Sequence, residues 1–180
     1  MPSLNSKEPS KEKIMADRNS SFVYVTYIRT TPEELWVALT TSEFMKKYWF
    51  GMNIETDWKV GSPWRLIFPD GRVTDAGEIV ELDRPRRIVL KWRNEFRPEL
   101  AAEGYARCSI ELEPQDNAVK LTISHTIERD TSKLIEAVSG GWPRILSNLK
   151  SLLETGQIIL SEARRPQRRD EPKEADYDDP

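Results

Sequence analysis

The sequence has little of the chemistry that most catalytic and metal sites require. Its 180 residues contain one cysteine, Cys108, and one histidine, His125. A single thiol excludes an internal disulfide framework, and one thiol with one imidazole cannot form a usual zinc ligand set. The sequence also shows no glycine-rich phosphate loop and no nucleophile elbow. We therefore predict no metal, no cofactor and no catalytic residue.

Long apolar runs and a strong net charge are missing as well. No run of 18 apolar residues and no apolar signal-peptide segment is present, which excludes a membrane span of the helical type. The formal net charge is −3, too weak to create a general field for nucleic acid. The sequence thus predicts a soluble, cytoplasmic protein that binds no nucleic acid and has no membrane span.

Apolar residues are scarce at both ends of the chain. Residues 1–20 and 158–180 consist largely of charged and small polar side chains. Such segments cannot bury enough apolar surface to offset the entropy lost on ordering, so we predict two disordered tails around one domain at 21–157. Ile158, Ile159 and Leu160 are the exception, because they give the start of the second tail a means of docking onto the domain.

The domain reads as one strand, two short helices, about six strands and one long helix. Residues 21–29 alternate as a strand does, and Thr31 followed by Pro32 is typical of a helix start. A second short helix is predicted after Ser42. Turn signals then separate strand-like runs at 52–57, 63–69, 72–82, 86–94, 105–113 and 118–128.

This order predicts an α+β fold. Because no helix separates the later strands, they should pair as antiparallel neighbours. Only the last helix is long enough to cover the sheet, so we expect a curved six- to seven-stranded antiparallel sheet wrapped around it. Strand alternation predicts an inward-facing set: Ile88, Leu90, Trp92, Cys108, Ile110, Leu112, Val119, Leu121, Ile123, His125 and Ile127.

The last helix contains residues that oppose its own pattern. Apolar side chains recur at helical spacing from Leu134 to Leu153. Gly140, Gly141 and Pro143 interrupt this stripe, although a glycine costs about 1 kcal/mol relative to alanine in a helix and a proline clashes with the preceding turn. We expect the helix to bend here and its backbone to approach the sheet or a ligand, with Trp142 pointing into the space that the bend opens.

Several segments resemble one known group in order and spacing. Over about residues 22–157 the chain is similar to the SRPBCC (START-like, Bet-v-type) superfamily, and within it to the activator of heat-shock protein ATPase homolog-like (AHSA-like) family. The resemblance implies a helix-grip fold with a cavity between the sheet and the last helix. Relatives more often have a second glycine where this chain has Ser62–Pro63. The matching segments are TPEELWVALTTSEFMKKYW (31–49), DWKVGSPWRL (57–66), PDGRVTDAGEIVELDRPRRIVLKW (69–92), VKLTISHT (119–126) and GGWPRILSNLKSLLETG (140–156).

The predicted cavity is rich in aromatic residues. An aromatic lining suits a flat or lipidic ligand, although the same tryptophans could simply fill the core. His125 could orient a ligand, act as a general base or serve only as a wall residue, and Cys108 should behave as a small hydrophobe. The candidate ligand-cavity residues are Trp49, Trp64, Phe68, Trp92, Tyr105, Ile110, His125, Val138, Trp142 and Leu146.

Three functions remain open from the sequence. The favoured one is a non-enzymatic module, monomeric or homodimeric, that holds a hydrophobic or aromatic small molecule between sheet and helix. The family resemblance implies an alternative, a protein-interaction module that regulates a chaperone ATPase. The superfamily also includes cyclase- and hydrolase-type enzymes, for which only His125 offers chemistry here. A cavity on the order of several hundred Å³ would favour a ligand or an enzyme, and a filled core would favour an interaction module.

Overall fold

One antiparallel sheet and four helices form the domain in this computed structural model, which describes residues 19–161. Most of both predicted tails therefore lies outside the described residues, and the predicted domain boundaries stay predictions. The strands are β1 (Ser20–Ile28), β2 (Asn53–Thr56), β3 (Pro63–Ile67), β4 (Val73–Asp83), β5 (Arg87–Asn94), β6 (Ala106–Gln115) and β7 (Ala118–Ile127). The helices are α1 (Pro32–Thr40), α2 (Ser42–Tyr48), α3 (Pro98–Ala101) and α4 (Lys133–Thr155).

The predicted fold class is confirmed. The seven strands lie in the order β1-β7-β6-β5-β4-β3-β2, and every neighbouring pair is antiparallel. Strand β1 pairs with β7 from Ser20 opposite Ile127 to Ile28 opposite Val119, so the first and last strands are neighbours. Every residue of the predicted inward-facing set is buried. The short helix α3 was not predicted.

Helices α1 and α2 close one end of the core. A capping box begins α1: the Thr31 hydroxyl accepts from the Glu34 amide at 3.2 Å, and the Glu34 carboxylate accepts from the Thr31 amide at 3.3 Å. The Ser42 hydroxyl donates to the Ile54 carbonyl at 2.6 Å, which fixes the start of α2 against the edge strand β2. Met45 and Tyr48 of α2 are buried in the core beneath the sheet.

The N-terminus of α4 is held by Glu103, which follows α3. Its carboxylate accepts hydrogen bonds from the Ser132 hydroxyl at 2.6 Å and from the amides of Lys133 and Leu134 at 2.9 and 3.2 Å. A carboxylate in this position also complements the positive end of the helix dipole. The unpredicted helix α3 thus leads directly into the residue that anchors α4.

Helix α4 runs without a break through Gly140, Gly141 and Pro143. A Cβ atom built on either glycine would meet nothing within 4 Å, so the backbone does not approach the sheet there. That part of the prediction was wrong, because both glycines face away from the core. Trp142, between them and the proline, is 3% exposed and lies inside as the apolar stripe predicted.

No helix within residues 19–161 has the length and apolar character needed to cross a membrane.

Candidate functional site

Four tryptophans, which we call the tryptophan cluster, meet on the concave face beneath α4. Trp49 ends α2, Trp64 lies on β3, Trp92 on β5 and Trp142 on α4. The ring centroids are 4.6 Å apart for Trp64 and Trp92, 5.1 Å for Trp49 and Trp142, and 6.1 Å for Trp92 and Trp142. These are the spacings of favourable aromatic pairs, so the four rings pack as one unit.

A glycine makes the closest of these contacts possible. Gly77 on β4 stands between Trp64 and Trp92 in register across three strands. A Cβ atom at Gly77 would lie 1.6 Å from the Lys91 carbonyl oxygen and 3.0 Å from the Trp64 indole nitrogen. No side chain fits, and the Trp64 ring uses that space to reach Trp92.

Hydrogen bonds fix three of the four indole rings. Trp64 Nε1 donates to the Lys91 carbonyl at 3.1 Å. Trp92 Nε1 donates to Asp75 Oδ1 at 2.9 Å, and Trp142 Nε1 donates to His125 Nε2 at 2.8 Å. Buried indole N–H groups normally find such partners. The indole N–H of Trp49 makes no hydrogen bond to any residue in the described range 19–161. Packing alone therefore holds the indole ring of Trp49 within the described residues.

His125 is a fixed acceptor and not a proton-transfer group. An indole N–H can only donate, so His125 Nε2 carries no proton and the neutral ring carries its proton on Nδ1. Nδ1 is buried and has no partner among the described residues. Burial lowers the pKa of His125 to about 3, so the ring is neutral near pH 7. Its role in this structure is to orient Trp142.

The half-buried carboxyl of Asp75 accepts the corresponding hydrogen bond from Trp92. It also accepts from Asn94 Nδ2 at 3.0 Å. Burial raises the pKa of Asp75, although the hydrogen bonds from Thr74, Trp92 and Asn94 oppose this rise. Two polar side chains, Asp75 on β4 and His125 on β7, thus set the orientation of two core tryptophans.

A small cavity adjoins the tryptophan cluster. Its volume is about 20 Å³, room for roughly one water molecule. A ligand-sized space beneath Trp142 was expected from the sequence, and the structure does not contain it. The cavity wall carries no ionisable side chain and is formed by Leu39, Met45, Trp49, Ile54, Trp58, Trp64, Leu66, Ile88, Leu90, Trp92, Ile110 and Trp142.

Half of the predicted cavity residues line this space: Trp49, Trp64, Trp92, Ile110 and Trp142. His125 and Leu146 are buried beside it, and Val138 packs half-buried against the same core. Phe68 lies further out, with its ring 5.2 Å from that of Phe96.

Tyr105 was placed on the wrong side of the sheet by the prediction. It is 48% exposed, and the Lys91 ammonium lies 4.5 Å from the centre of its ring. The period of two that turns Cys108 inward also turns Ala106 inward, so the residue before Ala106 must face outward. The strand pattern therefore indicates an outward Tyr105, contrary to the prediction.

Trp58 is the main cavity residue that the sequence did not reveal. It lies in the loop between β2 and β3, where no periodic pattern exists, and its φ angle is +51°. Phe50, beside Trp49, has a φ of +53°. This conformation is uncommon for residues with a side chain, and it tends to occur at functional sites. Trp58 itself lines the cavity, and Phe50 directly follows the lining residue Trp49 in the chain.

No group of three or more histidine, cysteine, aspartate or glutamate side chains that could hold a metal ion occurs within residues 19–161.

Comparison with known proteins identifies a matching family and several solved structures with a similar fold. The family model described as Activator of Hsp90 ATPase homolog 1-like protein matches residues 29–154. The chain is similar to a solved HSP90 activator from Plasmodium falciparum, with 26% identity and a TM-score of 0.60 over 74% of this chain and 95% of that one. No curated protein sequence matches it at a significant level.

Two further solved structures share the fold. The Aha1 dimer from Colwellia psychrerythraea has 21% identity and a TM-score of 0.62, over 76% of this chain and 98% of that one. CalU16 from Micromonospora echinospora has 17% identity and a TM-score of 0.60, over 76% and 77% of the two chains.

Proposed function

The chain belongs to the Activator of Hsp90 ATPase homolog 1-like family, and we propose that the space between its last helix and its sheet receives a small apolar or aromatic molecule. One observation carries this proposal: the cavity is bordered by the tryptophan cluster, by Trp58 and by aliphatic and methionine side chains, with no charged group among them. A wall without charge favours a neutral ligand, and indole faces favour a flat one.

Binding requires the cavity to grow. Ligand sites usually measure roughly 300–1,000 Å³, far above the 20 Å³ found here. Trp64, Trp92 and Trp142 are each held by a hydrogen bond from the indole N–H. Trp49 and Trp58 are half-buried, and within residues 19–161 their indole N–H groups have no hydrogen-bond partner. We infer a cavity with one fixed side and one movable side, where Trp49 and Trp58 yield to the ligand.

The test uses a neutral fluorescent probe, N-phenyl-1-naphthylamine, titrated into the full chain. We expect saturable binding at one site, with quenching of tryptophan emission as the probe approaches the cluster. Trp49→Ala should change the affinity by about tenfold or more. Tyr105→Phe, on the opposite face of the sheet, is the matched control and should leave it unchanged. Probe binding that does not saturate, or an affinity that is unchanged in Trp49→Ala, would refute the proposal.

A second function, regulation of a chaperone ATPase through protein contact, is favoured by the same small volume. A core that is this closely filled needs no ligand, and the chain is similar to a protein from Plasmodium falciparum described as an HSP90 activator. The experiment measures the ATPase rate of an HSP90 from the same organism with and without the chain. A raised rate together with no probe binding would put this function in place of the first.

The enzymatic alternative depended on His125. Its Nε2 is occupied by Trp142 and its ring is fully buried, so we do not propose catalysis at this residue.

A further inference from the structure

The chain does not leave the domain where α4 ends. Gly156 stops the helix with a φ of +78°, and residues 157–161 turn back along it. The turn is held by Asn148, a fully buried side chain of α4: its Oδ1 accepts from the amides of Ile159 and Leu160 at 3.1 and 2.8 Å, and its Nδ2 donates to the Leu160 carbonyl at 2.8 Å. We call residues 157–161 the C-terminal strap.

The same asparagine reaches the wall of the cavity. Asn148 Nδ2 also donates to the Tyr48 carbonyl at 3.2 Å, and Tyr48 immediately precedes Trp49. An asparagine amide offers two N–H groups and one oxygen with two lone pairs, and all of them are used here. One side chain therefore joins α4, the strap and the end of α2.

Asn148 occupies a costly position for an amide. It lies in the apolar stripe of α4 with the buried residues Ile145 and Leu149 on either side. A buried amide without partners is strongly unfavourable, so the position suits asparagine only while the strap and Tyr48 supply those partners. A leucine would satisfy core packing better, which points to a role in holding the strap.

The strap itself is weakly attached. Ile158 and Ile159 are exposed to solvent by 39% and 65%, and Leu160 is half-buried. Its backbone hydrogen bonds to Asn148 therefore provide much of what holds it. Segments with little buried apolar surface and few hydrogen bonds open at low free-energy cost, well before the domain unfolds.

We propose that the C-terminal strap is a latch on the ligand cavity and that Asn148 is its positioning residue. While the strap is docked, Asn148 holds the Tyr48 carbonyl and keeps Trp49 against Trp142. When the strap detaches, Asn148 turns toward water, the end of α2 loosens and Trp49 can swing away from the cavity. The ligand part of this inference rests on the proposed function, whereas the coupling of the strap to α2 does not.

Hydrogen–deuterium exchange at the amides of residues 49–52 tests the coupling without any ligand. Deletion of 157–180 should speed exchange there by about tenfold, the effect of losing one or two net hydrogen bonds. Deletion of 162–180 leaves the strap in place and is the matched control. Asn148→Ala and Leu160→Pro test the latch in the full chain if the longer deletion does not fold, the second by removing one amide donor from the strap.

Equal exchange at residues 49–52 in the two deletion proteins, or in Leu160→Pro and the unaltered chain, would overturn the latch. N-phenyl-1-naphthylamine then separates the two proposals, because its association rate should rise about tenfold in the strap variants. Faster exchange with no probe binding in any variant would uphold the latch and refute the ligand.

Discussion

The two halves of α4 cover the sheet with different side chains. Near its start, Leu134 and Ile135 pack on Ala106 and Ile127, a set that we call the aliphatic cluster. Near its middle, Trp142 packs in the tryptophan cluster. Small branched side chains fill their half without lining any part of the cavity, whereas large flat rings leave a gap. The comparison suggests that the first half provides stability and the second provides adaptability.

Removing the indole ring of Trp142 should have the largest effect on the difference between the two halves of α4. Trp142→Ala should lower the free energy of unfolding by about 3–5 kcal/mol, as expected for a buried aromatic residue. The new space should also strengthen the binding of N-phenyl-1-naphthylamine, since the cavity is already enlarged and the other three rings remain. Urea unfolding and probe titration measure the two effects. Leu134→Ala in the aliphatic cluster should lower the free energy of unfolding without a gain in probe binding. Equal probe binding in both variants would contradict the division of roles between the two halves of α4.

Gly77→Ala should destabilise the tryptophan half by about 3 kcal/mol, at the upper end for an overpacked core. The added methyl group would collide with the Lys91 carbonyl, so the strands must separate and Trp64 must lose its partner. Near-ultraviolet circular dichroism should show the loss of tryptophan asymmetry, and urea unfolding should give the free energy. An unchanged spectrum would show that the ring contact does not depend on this glycine.

His125, which accepts the hydrogen bond from Trp142, should make the free energy of unfolding depend on pH. The pKa of His125 is about 3 in the folded chain and ordinarily about 6.5, so below pH 6.5 the unfolded state binds the extra proton. Its contribution is complete above that pH and declines toward pH 3, by up to about 1.4 kcal/mol per pH unit. Urea unfolding at pH 7 and pH 5 should differ by roughly 2 kcal/mol more in the unaltered chain than in His125→Gln. Equal differences would mean that the ring is already charged when folded.

The smallest effect concerns the outer face of α4. Gly140→Ala should raise the free energy of unfolding by up to about 1 kcal/mol, because helix propensity improves and no atom beyond the adjacent helix backbone lies within 4 Å of the new methyl group. Gly141→Ala should behave alike. Thermal unfolding followed by circular dichroism measures the gain. A loss of stability at either position would show that the turn before Pro143 needs the freedom of glycine.

Periodic patterns predicted the fold, and single contacts decided the site. Alternation placed Trp92 and Cys108 inward, and helical spacing placed Trp142 inward, because both depend only on local geometry. The size of the cavity depends on ångström-level packing among residues distant in sequence. The same holds for the position of Trp58, which lies in a loop, and for the bond from Asn148 to Tyr48, which joins residues 100 positions apart.

The glycine pair in α4 shows most directly what the sequence cannot predict. Gly140 and Gly141 were expected to bring the helix close to the sheet, yet they face open space. A glycine in the sequence shows that the backbone there can adopt many conformations. It does not show which part of the structure lies opposite that position. The matching family segment could place the pair in the last helix but could not supply its neighbours.

The pairing of β1 with β7 has a consequence for the synthesis of the protein. Ser20 lies opposite Ile127, so the first strand has no partner until the ribosome has made almost the whole domain. Until then the alternating apolar residues of β1 have no sheet to join, and unpaired strands of this kind are prone to aggregate. Folds dominated by such distant contacts also fold slowly. A nascent chain stalled before β7 should therefore be a much stronger chaperone substrate than the finished protein.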